Sequence, residues 1–252
     1  MKIGAHVSPT GPLAEAAARN AEAVQVFLSN PQSWKAPIPR DDAEELKASD
    51  IDFYVHAPYL MNLASPNNRV RIPSRKTLAQ TVAAAEAIGA LGVIVHGGSV
   101  GADEDLSVGF ERWRKALESF EIAVPILVEN TAGSGNSVMQ DISHYGPLWD
   151  AIGDLNVGVC LDTCHTWAAG QDMEKAVSLI TGLTGGISLI HANDSRDESG
   201  SNRDRHANFG QGQIPEDLVP NIIREAGVTA IVETPNDDDG QAADIAWLRE
   251  QI

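Results

Sequence analysis

The chain has 252 residues, 43% of them apolar, which suits one large domain with a sizeable core and excludes a disordered or fibrous chain. Its 35 acidic against 18 basic residues give a formal charge of -17, opposite in sign to a generic nucleic-acid-backbone binder, so any phosphate-directed function needs bound cations or a local basic patch. No run approaches the roughly 18 apolar residues of a membrane span. Only Cys160 and Cys164 are present, which excludes a disulfide scaffold. With no signal-like segment before the first strand, this points to a reducing, cytoplasmic compartment.

Eight short runs rich in β-branched residues follow one another along the chain: Lys2–His6, Ala23–Leu28, Asp52–His56, Gly92–His96, Pro125–Glu129, Val157–Asp162, Ile187–His191 and Thr229–Glu233. Segments of helical length lie between them, among them Leu78–Ile88, Leu106–Phe120 and Met173–Leu183. Runs such as Val93-Ile94-Val95 and Ile126-Leu127-Val128 are apolar without alternation, as strands buried on both faces require. Eight strand–helix units with no dividing linker predict an α/β fold of one domain over residues 1–252, a (β/α)8 TIM barrel rather than a doubly wound open sheet.

The residue at which each run stops carries the functional signal. Seven of the eight end in an ionisable or metal-capable side chain: His6, His56, His96, Glu129, Asp162, His191 and Glu233. Only the second runs out through Phe27, Leu28 and Ser29 into Asn30. In a barrel the strand ends converge on one mouth, where active sites are built. Acids and imidazoles crowded there are costly to desolvate unless cations pair with them.

Asp162 and His165 stand three apart at a strand exit. Asp204 and His206 stand two apart in a long loop from Ala192 to Gly212, so an extended backbone aims both the same way. The inventory is His56, His96, Glu129, Asp162, His165, His191, Asp204, His206 and Glu233. Nine ligands exceed the needs of one four-coordinate ion, and bridging carboxylates allow two or three. Imidazoles with carboxylates suit zinc ahead of manganese or iron, and an all-oxygen magnesium site does not fit. His6 is expected to line the floor or hydrogen-bond a ligand, and His144 to lie at the surface. Cys160 is expected to pack in the barrel interior; Cys164 could be a soft ligand, but with no other sulfur in the inventory a small buried residue is expected. Arg69, Arg71, Arg75 and Lys76 form a stretch without acid that follows Tyr59 on the same barrel face. Two other readings stay open at this level. A sugar isomerase or epimerase would use one or two ions and a base, and a non-catalytic DNA-binding module would leave the nine ligand-type residues without a purpose.

The longer motifs resemble those of the endonuclease IV family. Gly158-Val159-Cys160-Leu161-Asp162-Thr163-Cys164-His165 with Ala168-Ala169-Gly170 is similar to its central signature. Val128-Glu129-Asn130-Thr131-Ala132-Gly133, His191-Ala192-Asn193-Asp194 with Asp204-Arg205-His206, and His56-Ala57-Pro58-Tyr59 resemble further blocks, as does the opening Ile3-Gly4-Ala5-His6-Val7-Ser8. The resemblance spans almost the whole chain. It implies a DNA-repair hydrolase that cleaves the phosphodiester 5′ to abasic sites in double-stranded DNA, leaving a 3′-hydroxyl and a 5′ deoxyribose phosphate. Cleaning of blocked 3′ ends is implied as well. The implied cofactors are three Zn2+ ions, with Mn2+ able to take one position in some members. His56, His96 and Glu129 would hold the first ion, and Glu129, Asp162, His191 and Glu233 the second. His165, Asp204 and His206 would hold the third. On such a centre Glu129 and Glu233 are the expected catalytic carboxylates, the first fixing the spacing of two ions and the second orienting the nucleophile. For DNA recognition, Tyr59 matches an aromatic of the family, whereas Gln32 stands where members often carry an arginine. Trp34 would either probe the base stack or cover the rim. The resemblance and the self-contained barrel imply a monomer.

Overall fold

The computed structural model describes residues 1–252, and eight parallel strands close into a barrel at its centre. They are β1 (Ile3–His6), β2 (Ala23–Val26), β3 (Asp52–His56), β4 (Gly92–His96), β5 (Ile126–Glu129), β6 (Val157–Asp162), β7 (Leu189–His191) and β8 (Ala230–Val232). Each pairs in parallel with its sequence neighbours, and β8 pairs with β1 to complete the ring. The chain is thus the expected single-domain (β/α)8 barrel. Three strands have the expected bounds. The others are shorter, and the change that matters is in β2, which stops at Val26 and leaves Phe27 and Leu28 outside the ladder. No helix is long and apolar enough to cross a membrane.

The pleat sorts the strand residues into two faces. Outward-facing Val24, Val55, Val93, Val128, Val159 and Ile190 pack against a helical shell that includes Leu78, Trp113, Leu148, Ile180, Ile223 and Leu248, all buried in one continuous core. Burying each such side chain contributes about 1.5–3 kcal/mol before entropy is subtracted. Inward-facing Ala23, Tyr54, Ile94, Leu127, Cys160, Leu189 and Ile231 form a separate apolar cluster, one residue from each of β2 to β8. At this level β1 carries Gly4. A Cβ on Gly4 would lie 1.8 Å from the Ala23 carbonyl oxygen, so β1 and β2 approach too closely for any side chain. Gly4→Ala is therefore expected to destabilise the barrel by about 3 kcal/mol through overpacking. Urea unfolding measures this, and an unchanged midpoint would refute the close-approach argument.

The helices start and stop largely as their sequences dictate. The helix Leu106–Leu117 is capped by Asp105, whose carboxylate accepts from the Ser107 N–H, and it buries Phe110, Trp113, Ala116 and Leu117 on one face. The Trp113 indole donates to the Gly97 carbonyl at 2.9 Å and so ties this helix to the loop after β4. One helix differs from expectation. It runs from Asn68 to Ala87, starting ten residues before Leu78, with Pro73 inside it. Pro73 removes only one helical N–H, and Asn67 caps the start by accepting from the Arg69 N–H at 2.9 Å. Arg69, Arg71, Arg75 and Lys76 consequently stand on a helix. His144 is half-buried rather than surface, with its Nδ1 3.0 Å from the Val138 carbonyl.

Two antiparallel ribbons of two residues per strand, absent from the sequence reading, shape the mouth. Ser99–Val100 pairs with Asn136–Ser137, and Asp194–Ser195 pairs with His206–Ala207. The second folds the long loop back on itself. Asp194 fastens its base, accepting from the N–H groups of Ser195, Gly212 and Ile214 at 2.7–3.0 Å. The Trp167 indole holds the far end through the Asp197 carbonyl at 3.0 Å.

Candidate metal centre

The side-chain period of a strand is two residues. Two positions beyond the apolar interior layer, the eight strands therefore present His6, Gln25, His56, His96, Glu129, Asp162, His191 and Glu233 to the same mouth. Tilted register sets neighbours side by side, His96 opposite Glu129 and Asp162 opposite His191. The site is in essence this one polar ring, joined by His165 from the short helix Thr163–Ala168 and by Asp204 and His206 from the folded loop.

Glu129 is the hub. Its Oε2 lies 3.2 Å from His56 Nε2 and 3.1 Å from His96 Nε2. Its Oε1 lies 2.9 Å from His191 Nδ1 and 3.4 Å from His165 Nδ1. His191 Nδ1 also faces Glu233 Oε2 at 3.3 Å and Asp162 Oδ2 at 3.9 Å. Asp204 divides its oxygens between His165 Nε2 at 3.2 Å and His206 Nε2 at 3.1 Å. All nine sequence-predicted ligand residues meet here. His6 stays one step back, 3.6 Å from Glu233 Oε1. Tyr59, half-exposed, stands over the rim with its ring 5.1 Å from that of His56 and 5.7 Å from that of His96. Gln32 lies on an exposed turn, its N–H bound to the Asn30 side chain at 2.9 Å. Trp34, exposed, borders a groove against Ile72, Pro73 and Lys76.

Four overlapping groups have ligand atoms within 4.8 Å of one another: His56, His96 and Glu129; Glu129, Asp162, His191 and Glu233; Asp162, His165 and His206; Cys164, Asp204 and His206. These residues fit divalent cations on two grounds. The imidazoles are aimed by their other nitrogens. His56 Nδ1 is 2.7 Å from the Ala57 carbonyl, His165 Nδ1 2.9 Å from that of Asn130, and His206 Nδ1 3.2 Å from that of Glu233. Each thereby turns Nε2 inward as a lone-pair donor. In addition, His206 Nε2 is buried and makes no hydrogen bond, despite its proximity to Asp204. Such an atom is costly to leave unsatisfied. Cys164 is buried as expected, and burial, with the Asp162 carboxylate, pushes its thiol up to about 12.

Charge balance among these groups is tight. Burial would drive His165, His191 and His206 to the neutral form, but their neighbours win and raise all three: carboxylates for His165 and His206, the latter to about 9, and Cys160 followed by Glu233 and Glu129 for His191. The same imidazoles hold Glu129, Glu233 and Asp204 well below the usual carboxylate range against the opposing pull of burial. For Asp162 burial prevails and the pKa rises. In chelated protein, protons would thus do part of the work of cations, and metal uptake must release them. A raised imidazole contributes stability that is full below its ordinary 6.5 and lost as pH climbs through the folded value, about 9 for His206. Chelated protein is expected to lose several degrees of Tm between about pH 6.5 and about 9.5, with the metal-loaded form unaffected. A flat Tm in the chelated form would remove this account.

Three functional groups escaped the sequence reading: the carboxamides of Gln25, Asn130 and Asn193, all fully buried. Asn193 Nδ2 donates to Asp162 Oδ2 at 2.7 Å and its Oδ1 accepts from the Glu233 N–H at 2.8 Å. Asn130 Oδ1 accepts from the Asp162 N–H at 2.8 Å. Asn130 and Asn193 sit one and two residues after strand-end ligands. Gln25 lies two residues beyond an inward-facing alanine, which was the available signal.

A cavity of about 470 Å³ opens at this mouth, bordered by Tyr59, His96, Ser99, Thr131, His165 and Asp204. Residues 13–251 match the family described as xylose isomerase-like TIM barrel. The chain is 59% identical over 251 residues to the protein named probable endonuclease 4 of Mycobacterium tuberculosis, covering 100% of this chain and 99% of that one. The crystal structure of endonuclease IV from Thermus thermophilus superposes with a TM-score of 0.85 at 29% identity, over 100% of this chain and 98% of that one. A D-tagatose 3-epimerase-like protein shares the fold at a TM-score of 0.82 and 21% identity, with 100% and 97% covered.

Proposed function

The chain belongs to the endonuclease IV family, and from that premise we propose which bond it breaks and which residues break it. It is a hydrolase of the AP-endonuclease type. In the proposed reaction it cleaves the phosphodiester 5′ to an abasic site in double-stranded DNA, leaving a 3′-hydroxyl and a 5′ deoxyribose phosphate, and trims blocked 3′ ends at the same centre. The observation that carries this reading is the hub position of Glu129 between two cation-binding groups, with Asp204, His165 and His206 assembled beside them.

Three Zn2+ ions are the proposed cofactors, on His56/His96/Glu129, on Glu129/Asp162/His191/Glu233 and on His165/Asp204/His206. Zinc, when bound, supplies Lewis acidity, making hydroxide available near neutral pH and offsetting charge on phosphoryl oxygens. The chain's own groups do the rest. Glu233, ionised and only partly enclosed, accepts a hydrogen bond from the attacking water and aims it at phosphorus. Attack forms the new P–O bond as the bond to the 3′ oxygen breaks, and that oxygen departs on the Asp204 side. Tyr59, over the rim, packs against the duplex where a residue without a base turns outward at reduced cost. Gln32 offers an uncharged contact from the neighbouring turn. The monomeric state is proposed on the closed barrel alone.

A duplex carrying one tetrahydrofuran abasic analogue tests the reading. Incision is expected 5′ to the analogue, lost on chelation and restored by zinc. Turnover of free ketoses without cleavage of that duplex would replace this function by the epimerase chemistry of barrels with the same fold.

A further inference from the structure

The polar ring has one member that carries no charge and belongs to none of the cation-binding groups. Gln25, fully buried on β2, reaches three ring neighbours at once. Its Nε2 donates to Glu233 Oε1 at 2.6 Å and lies 2.8 Å from His6 Nδ1, and its Oε1 lies 2.7 Å from His191 Nε2. The partners fix which end of the amide is which. Ionised Glu233 can only accept, so the NH2 must face it and the carbonyl must face His191. A carbonyl can only accept in turn, so His191 keeps a proton on Nε2, and the proton released when a cation binds is the one on Nδ1. Nδ1 is then the nitrogen left to face Glu129, Glu233 and Asp162. The second amide hydrogen goes to His6 Nδ1.

His191 differs here from its neighbours. His56, His165 and His206 are oriented by backbone carbonyls, which no substitution removes. His191 depends on a side chain from a strand three positions away around the closed barrel. We infer that Gln25 is a positioning residue for the reaction: it selects the His191 nitrogen offered to a cation and holds the Glu233 carboxylate at its working angle, with His6 as its anchor. A neutral amide suits this task. Glutamate would repel Glu233, and lysine would compete with the cation for the same carboxylates. The inference rests on the cation-dependent function proposed above.

The test uses Gln25→Met, which keeps length and removes all three hydrogen bonds, and Gln25→Glu, which keeps an acceptor for His191 but sets a charge against Glu233. Zinc affinity is read by competition with a chromophoric chelator, and the His191 tautomer by long-range 15N–1H NMR. In Gln25→Met, zinc affinity is expected to fall about 10–100-fold, the usual cost of losing such a partner. In the zinc-loaded variant the His191 signals should report mixed Nδ1–H and Nε2–H forms, while kcat on the abasic duplex falls and KM does not. In Gln25→Glu the single tautomer should persist while kcat falls. Wild-type zinc affinity with a single Nε2–H tautomer in Gln25→Met overturns the proposal. If Gln25→Met does not fold, the zinc-loaded wild type decides, because an Nδ1–H tautomer of His191 there is incompatible with the assigned role. Wild-type protein that cleaves nothing yet shows the Nε2–H form would count against the proposed function and leave Gln25's role standing.

Discussion

Glu233→Gln is expected to lower kcat for incision about 10³-fold, within the usual range for losing a positioned proton acceptor. Binding of the abasic duplex should weaken only a few-fold, since the volume and the rim around Tyr59 are kept. The substitution acts on a group that Gln25 Nε2 and Asn193 Nδ2 both address as donors. A carboxamide must turn its own NH2 towards one of them, and it cannot take a proton from water. Single-turnover incision under saturating enzyme separates this loss from weaker binding. Near-normal cleavage by the variant would remove Glu233 from the chemistry.

Glu129→Ala should be more disruptive, because that carboxylate is the common member of two cation-binding groups. Removing it leaves His56, His96, His165 and His191 without their shared partner, three of the four buried. Truncating one side of a buried ionic network costs about 3–5 kcal/mol. Zinc measured by mass spectrometry is expected to fall to the His165/Asp204/His206 position alone, with incision undetectable. Full zinc content in a folded Glu129→Ala protein would contradict the hub geometry.

The barrel and its mouth were legible in sequence for one physical reason. A strand buried on both faces is an unbroken apolar run, so the first polar residue after it marks where the interior ends. That rule yields His56, His96, Glu129, Asp162, His191 and Glu233 directly. It fails on β2, where Phe27 and Leu28 prolong the apolar run beyond the ladder. Phe27 packs outside it, 5.0 Å from the Tyr59 ring, and so conceals Gln25 inside what reads as one long strand. Pro73 hid the first turns of the helix Asn68–Ala87, because a proline this far inside a helix is locally unfavourable and is offset only by tertiary packing. The two-residue ribbons are too short to leave any periodicity. Asp204 and His206 were recognisable from their spacing, but the turn that returns them to the barrel depends on contacts such as Asp194 with Gly212 and Ile214, which no local pattern encodes.

Those contacts give the centre two supports of unequal stiffness. The ring side chains are borne by strands, and they separate only when the whole barrel opens. Asp204, half-exposed, and His206 ride on a folded loop fastened by Asp194 and Trp167, and local opening of that loop costs less than global unfolding. The cation-binding residues are therefore detachable in sequence. A fluctuation or proteolytic nick in the loop would subtract the Asp204/His206 share and leave the strand-borne pair of cation-binding groups intact, a core from which a barrel with different loops could run different chemistry.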